Sequence, residues 1–177
     1  TNSNSETASA SSNSSLTIST LAFAGSIANQ TVTEDTNSSA LFDLDSYFTA
    51  ASSYTFSGNS SILLSIDSSN QVSIEPSANF TGSQNITITG IYGSSTKTSN
   101  EILINVTNVN DAPLLTASIS EISVEKNTAT TLDMDNYFSD IDPSASLNYS
   151  ISSSHITLSQ SGTTVTLTPE TDFEGSE

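Results

Sequence analysis

Residues 42–48 read Phe42-Asp43-Leu44-Asp45-Ser46-Tyr47-Phe48, and residues 132–138 repeat the pattern as Leu-Asp-Met-Asp-Asn-Tyr-Phe. A second landmark follows each copy: residues 76–83 read Pro-Ser-Ala-Asn-Phe-Thr-Gly-Ser, and residues 169–176 read Pro-Glu-Thr-Asp-Phe-Glu-Gly-Ser. A repeat of about 90 residues is too long for a solenoid unit and fits whole small domains in tandem. The sequence therefore predicts two copies of one domain.

Apolar residues of the first copy, from about Ile27 to Thr107, fall in short alternating runs rather than in helical patterns. Ile102, Ile104 and Val106, for example, alternate with more polar neighbours, which is typical of a strand with one buried and one solvated face. We predict strands at residues 29–34, 39–44, 53–57, 61–66, 71–75, 84–92 and 101–107. Seven short strands in about 90 residues indicate an Ig-like β-sandwich.

The second copy begins near Leu114, because Pro113 cannot donate to a strand ladder. Its predicted strands are residues 118–124, 130–134, 146–152, 155–159 and 163–168. By alignment of the landmarks Glu177 matches Gln84, so the counterparts of residues 85–107 are lacking. We expect either that the natural protein continues or that another chain supplies strands. The predicted fold is all-β: a Ser/Asn-rich linker or tail (1–20) and two tandem sandwiches (21–113 and 114–177), the second incomplete at its C-terminus.

The net charge of the chain limits the classes of partner that it can bind. The chain has 19 acidic residues against two Lys and Arg together, for a formal net charge of -17. Nothing is available to neutralise phosphates, which excludes nucleic acid, and an anionic membrane surface would repel the chain. No run is apolar over the ~20 residues of a membrane span, and there is no Cys for a thiolate metal site or thiol catalysis. Ca²⁺, which prefers oxygen ligands, is the partner that such a chain suits, although acidity alone also serves solubility.

Residues 108–113, Asn-Val-Asn-Asp-Ala-Pro, resemble the linker of cadherins, usually written D-x-N-D-N-x-P. The element L-D-x-x-Y-F, followed in the second copy by Ser-Asp-Ile-Asp at residues 139–142, resembles dystroglycan-type cadherin domains. Residues 31–36 resemble the first strand of the same repeats. The chain is thus similar to bacterial and archaeal cadherin-like repeats over about residues 27–177, and the resemblance implies Ca²⁺ at the joint between successive domains.

The ligands that the resemblance implies are a Glu near the start of the first domain, the linker, and a D-x-D in the next domain. In this sequence they are Glu34, Asn108, Asn110, Asp111, Asp140 and Asp142. Asn108 stands where the family has its first linker Asp, and the second Asn of the motif is missing. We therefore expect fewer ions than in a full cadherin joint, about one or two, and weaker binding.

Several motifs allow a second interpretation. Asp140 and Asp142 also suit an ordinary turn before Pro143. The pairs Asp43/Asp45 and Asp133/Asp135 could be ligands or acid–base groups, but we place them on the solvated face of a strand whose Leu44 and Met134 point inward. Tyr47-Phe48 and Tyr137-Phe138 could stack on sugars, but core packing is the favoured interpretation. His155 is the only histidine; a Ser-His-Asp triad stays open, although a surface position is favoured.

The function predicted from sequence is a Ca²⁺-stiffened structural or adhesion segment of a modular extracellular surface protein that catalyses no reaction. Its partners would be calcium and other domains of a longer chain or neighbouring subunits. One alternative is a carbohydrate-binding module for cell-surface polysaccharide. Another is a filament subunit, in which Leu16–Leu21 of one chain fills the open second domain of the next by strand addition. The third is an accessory domain of a surface hydrolase.

Overall fold

A computed structural model describes residues 20–143 and 145–177. Strands make up 45% of the described residues, which contain no α-helix, and this confirms the all-β prediction. The predicted linker or tail lies outside the described residues except for Thr20. Of the predicted strand Leu16–Leu21, only the last two residues are described.

The first copy contains ten strands, and each of the seven predicted runs corresponds to one of them. The strands are β1 (Ala22–Phe23), β2 (Gln30–Thr33), β3 (Ser38–Asp43), β4 (Phe48–Thr49), β5 (Ser53–Ser57), β6 (Ile62–Ile66), β7 (Gln71–Pro76), β8 (Gly82–Tyr92), β9 (Ser95–Thr98) and β10 (Ile102–Thr107). The short strands β1, β4 and β9 were not predicted.

Two main sheets form in this copy. One has the order β3-β7-β6, and the other has the order β2-β10-β8-β5 with β9 added to β8. A small sheet pairs β1 with β4 in antiparallel register. The alternation in the sequence sets the core, because alternate side chains of each sheet are buried: Ile62, Leu64, Val72 and Ile74 in the first, and Ile86, Ile88, Ile102, Ile104 and Val106 in the second.

The second copy has five strands: β11 (Leu114–Leu115), β12 (Thr130–Asp133), β13 (Phe138–Ser139), β14 (Ile156–Ser161) and β15 (Thr164–Pro169). They form a three-stranded sheet of order β12-β15-β14 and the pair β11-β13, which match β3-β7-β6 and β1-β4 of the first copy. The strands predicted at residues 118–124 and 146–152 are absent, so that prediction is wrong. Their counterparts β2 and β5 pair with β10 and β8, and the described residues of the second copy form no strands in the places of those two.

The repeated landmark forms a short 3₁₀ helix in both copies, Leu44–Ser46 and Met134–Asn136. Asp43 accepts a hydrogen bond from the backbone N–H of Asp45 at 2.9 Å, and Asp133 makes the same bond to Asp135 at 3.3 Å. Leu44 and Met134 are buried, as predicted. We expected the acidic pairs to lie along the solvated face of a strand, and this prediction is wrong. The first Asp of each pair instead ends its strand and caps the 3₁₀ helix.

The last residue of the landmark, Phe48 in the first copy and Phe138 in the second, packs against other rings. Phe48 is 3% exposed, and its ring lies 4.9 Å from that of Phe23 and 5.5 Å from that of Tyr54. In the second copy Phe138 lies 5.6 Å from Tyr149. This arrangement agrees with core packing rather than with a flat platform for sugars.

The described residues form two compact units. The first comprises the chain up to Val32, with Asn37–Glu75 and Gly82–Asn105. The second comprises Thr33–Thr36, Pro76–Thr81 and Val106–Glu177, so it includes two loops of the first copy and the linker. The division into sandwiches at residues 21–113 and 114–177 stays a prediction.

Candidate metal centre

Glu34, in the second unit, is the one charged side chain that is buried among the described residues, with 1% of its surface exposed. It directly follows β2, and its backbone N–H donates to the carbonyl of Thr107 at 3.0 Å. Its Oε1 accepts a hydrogen bond from the backbone N–H of Val109, 2.8 Å away. The ion pairs among the described residues do not include Glu34. A buried carboxylate without a counter-charge is costly, so this position favours a bound cation.

Asp142 lies in the loop that follows β13 and binds the linker twice. One carboxylate oxygen accepts from the side-chain amide of Asn108 at 2.9 Å, and the other accepts from the backbone N–H of Asp111 at 2.8 Å. The backbone N–H of Asp142 donates to the carboxylate of Asp140, also at 2.9 Å. This last bond is an Asx-type turn, which fixes the loop in the conformation that aims Asp142 at the linker.

Asp111 carries an oxygen with no partner. Its Oδ2 is enclosed and accepts no hydrogen bond. Removal from water, followed by the negative charges of Asp35, Asp142, Glu34 and Asp140, raises the pKa of Asp111 above its ordinary value. An enclosed carboxylate oxygen surrounded by like charges is an unfavourable arrangement until a proton or a metal cation neutralises it.

These three carboxylates converge. One oxygen each from Glu34, Asp111 and Asp142 lies within 4.8 Å of the other two. Ca²⁺ binds oxygens at about 2.3–2.6 Å, so two ligands on opposite sides of one ion are separated by roughly twice that distance. The three oxygens therefore fit around a single Ca²⁺. Nearby backbone carbonyls and water could supply the remaining ligands of a six- to eight-coordinate site.

The other three predicted ligands are nearby but have different contacts. Asn108 donates its side-chain amide to Asp142, so it positions that carboxylate. Asp140 accepts from the backbone of Asp142 and acts in the same way. Asn110 donates its amide to the backbone carbonyl of Asp111 at 2.7 Å.

Asp35 is the residue that sequence analysis missed. It has a φ of 54°, and its carboxylate accepts from the backbone N–H of Asn79 at 3.0 Å. It is also the largest single charge that raises the pKa of Asp111. Its position next to Glu34 in the sequence could have identified it as part of the site, but the resemblance implied only Glu34 as a ligand.

The second copy repeats this turn with a different charge. Asn127 has a φ of 63° and accepts a hydrogen bond from the backbone N–H of Asp172 at 2.8 Å. This bond corresponds to the one between Asp35 and Asn79 in the first copy. The residue before Asn127, which therefore corresponds to Glu34, is Lys126. Its ammonium lies 2.7 Å from a carboxylate oxygen of Glu174. At this position the second copy thus supplies its own cation, whereas the first supplies another carboxylate.

The triad left open around His155 does not have the geometry of a nucleophile and base. The hydroxyl of Ser153 and Nδ1 of His155 both contact the carboxylate of Glu177, and the imidazole ring stacks on Phe173 at 4.4 Å. The hydrogen bonds from Ser153 and His155 lower the pKa of Glu177 to about 2. Ser153 is therefore hydrogen-bonded to the acid rather than activated by the histidine.

No protein-family model and no curated protein matches the chain. In the part of the chain that the structure describes, there is no helix that is long and apolar enough to span a bilayer.

Proposed function

We propose that this chain is a Ca²⁺-binding segment of a modular extracellular surface protein built from tandem, cadherin-like β-sandwich repeats. The observation that carries the proposal is the burial of Glu34 beside Asp111 and Asp142, with an oxygen of each within 4.8 Å of the others. The ion pairs of the described residues leave this cluster without a basic partner. Calcium would neutralise the cluster and connect three segments that are distant in sequence.

The comparison between the two copies strengthens this proposal. Where the second copy places Lys126 against Glu174, the first places Glu34 near further carboxylates. At this position one copy has a lysine with a carboxylate partner, whereas the other has a buried carboxylate without a basic partner, so a free cation is the simplest counterpart there. The enclosed, unpartnered Oδ2 of Asp111 offers it a ligand that costs no existing hydrogen bond.

The role that follows is mechanical. Without the ion, the linker residues 108–111 are held by hydrogen bonds from Val109 to Glu34 and from Asn108 and Asp111 to Asp142, while the carboxylates repel one another. With the ion, the same carboxylates share one charge of +2. Calcium would therefore stiffen the linker, and a stiff linker projects whatever the surface protein carries beyond it.

Calcium titration by calorimetry tests the proposal. We expect uptake by the wild-type chain at calcium concentrations up to the millimolar range of extracellular modules, about 10⁻⁴–10⁻³ M. Glu34→Gln should weaken binding by about tenfold or more, equivalent to about 1.4 kcal/mol. Glu75→Gln is the matched control, because Glu75 is an exposed carboxylate on β7.

Two outcomes would contradict the proposal: no heat of binding at millimolar calcium, or equal affinities for the Glu34 and Glu75 variants. A parallel titration with Mg²⁺ tests the ion. Mg²⁺ requires distances of about 2.0–2.1 Å and octahedral geometry, so we expect it to bind more weakly. Hydrogen exchange should show slower exchange in residues 108–111 when calcium is bound.

A further inference from the structure

Strand β6 lies at an edge of the three-stranded sheet of the first copy. In the sheet order β3-β7-β6 it pairs with β7 on one side, and the described residues place no strand on its other side. Its sequence, Ile62–Ile66, has no charged residue and no proline. Leu63 is 61% exposed on this strand, whereas Ile62 and Leu64 are buried. An uncharged edge strand with an exposed apolar side chain is a template for pairing with another strand.

The other edge strands of the two main sheets have features that oppose such pairing. β3 has an irregular register between Ser38 and Phe42, and it ends at Asp43. β2 is followed directly by Glu34 and Asp35. β5 is uncharged, but its exposed side chains are all Ser or Thr. In the described part of the first copy, β6 is therefore the edge at which pairing would bury a large apolar side chain.

Comparison of the two copies identifies Leu63 as the unusual residue of this edge. Residues 62–65 read Ile-Leu-Leu-Ser, and residues 156–159 on β14 read Ile-Thr-Leu-Ser, so Leu63 corresponds to Thr157. Both residues are exposed, and the two copies agree at the positions that face the core. The core of the first copy therefore does not require a leucine at position 63, and a second role for this side chain has to be sought outside the sheet.

We infer that β6 is a self-association surface, which pairs antiparallel with β6 of a second copy of this chain about a two-fold axis at Leu63. In this register Leu63 lies opposite Leu63 of the other copy, and Ile62 lies opposite Leu64. The strand is thus complementary to itself, and a two-fold interface closes as a dimer. The two Leu63 side chains, now exposed, would be buried against each other as a cross-strand pair.

The charges around β6 allow two chains of net charge -17 to meet here. Asp67 follows β6 and would lie opposite the neutral Asn59, while its carboxylate accepts hydrogen bonds from the backbone of Ser69 and Gln71 at 2.8 and 3.0 Å. Glu75 on β7 would lie three strand spacings, about 14 Å, from Glu75 of the other copy, beyond the screening length of about 8 Å in physiological salt. The pairing therefore places no acid of these strands directly against another.

Sedimentation equilibrium of the full chain in EDTA tests the pairing. We expect a monomer–dimer equilibrium as the concentration rises to about 1 mM. The dimer should strengthen between about 0.01 M and about 0.15 M salt, because screening weakens the repulsion between the chains. Leu63→Lys should raise the dimer dissociation constant about tenfold or more. Leu103→Lys is the matched control, since Leu103 is 37% exposed on β10, inside the other sheet.

Cross-linking tests the register. The chain has no cysteine, so Leu63→Cys introduces a single thiol. Residues directly opposite in an antiparallel pair have Cα atoms about 4.5–5.5 Å apart, which suits a disulfide. We therefore expect Leu63→Cys to form a disulfide-linked dimer on oxidation. Ser65→Cys, also exposed on β6, would lie opposite Ser61 and should cross-link about tenfold more slowly or less.

Four results would overturn the pairing. The first is a chain that stays monomeric up to about 1 mM, and the second is a dimer that the Leu63 and Leu103 substitutions affect equally. The third is equal cross-linking of the two cysteine variants. The fourth is strong hydrogen-exchange protection of the free edge of β6 in the dilute monomer, which would make residues 1–19 its partner. The pairing does not depend on calcium, and the use of EDTA keeps its failure distinct from failure of the metal proposal.

Discussion

The backbone N–H of Asp111 donates a hydrogen bond of 2.8 Å to the carboxylate of Asp142, although the two side chains repel each other. The bond brings two acidic residues from distant parts of the sequence together in a chain of net charge -17. Backbone donors stabilise the arrangement, and the proposed cation would neutralise its charge.

Substitution of Asp142 tests this arrangement. Asp142→Asn keeps the size of the side chain but removes one of the three converging charges, so we expect calcium affinity to fall about tenfold or more. Asp135→Asn is the matched control, since Asp135 is an exposed acid of the second copy outside the cluster. Asp140→Asn should have an intermediate effect, because Asp140 positions Asp142 through its backbone. Calorimetry measures all three, and equal effects of the Asp142 and Asp135 substitutions would contradict the assignment.

The raised pKa of Asp111 predicts the pH dependence of the calcium-free protein. The folded state holds a proton on Asp111 more tightly than the unfolded state does, so the folded state binds more protons in the window between the two pKa values. The contribution of Asp111 to the free energy of unfolding in EDTA should therefore be greatest below its unfolded pKa, about 3.9, and should decrease as pH rises through the higher folded pKa. Denaturant titrations across this range should find that Asp111→Asn flattens the decrease. An unchanged profile in the variant would argue against a perturbed Asp111.

Glu34→Lys tests the comparison between the two copies. It gives the first copy the charge that Lys126 has at the corresponding position of the second, so a lysine ammonium would face Asp111 and Asp142. We expect calcium binding to be lost and the melting temperature in EDTA to rise by several degrees, since about 1 kcal/mol shifts a domain of 150–250 residues by about 2–4 °C. Glu34→Gln should weaken calcium binding without a rise of that size in the melting temperature. A lower melting temperature for the Lys variant than for the Gln variant would contradict a cation site.

Gly58 and Gly93 give a matched test of the fold. Both have positive φ, +83° and +58°, which an L side chain adopts with strain. A Cβ at Gly58 would lie 2.2 Å from the backbone oxygen of Asn85, whereas one at Gly93 would meet nothing within 4 Å. We expect Gly93→Ala to cost about 1 kcal/mol and Gly58→Ala to cost clearly more, because strain and a backbone clash add. Equal unfolding free energies would mean that β8 does not pass Gly58 as described.

Much of the fold could be predicted because its signals are local. Alternation in runs such as Ile102–Thr107 specifies a strand with one buried face, and every run predicted in the first copy overlaps a strand. The failures at residues 118–124 and 146–152 have a non-local cause. Their sequences favour strands, but a strand needs a hydrogen-bonding partner, and the described residues of the second copy form no strands equivalent to β10 and β8, the partners used in the first copy.

The candidate site could be predicted only in part for a similar reason. The resemblance to cadherin linkers selected Glu34, Asp111 and Asp142, which converge in the structure. It did not indicate which of the predicted ligands only position another carboxylate, as Asn108 does when its amide donates to Asp142. Asp35 was missed because its influence on Asp111 depends on a turn held by a residue 44 positions away in sequence.

A crystal structure of the chain grown with millimolar calcium tests the central claim most directly. We predict an ion at about 2.3–2.6 Å from oxygens of Glu34, Asp111 and Asp142, with Oδ2 of Asp111 among its ligands. Crystals in which that oxygen has no ion, or in which calcium binds only at other acidic residues, would contradict the account.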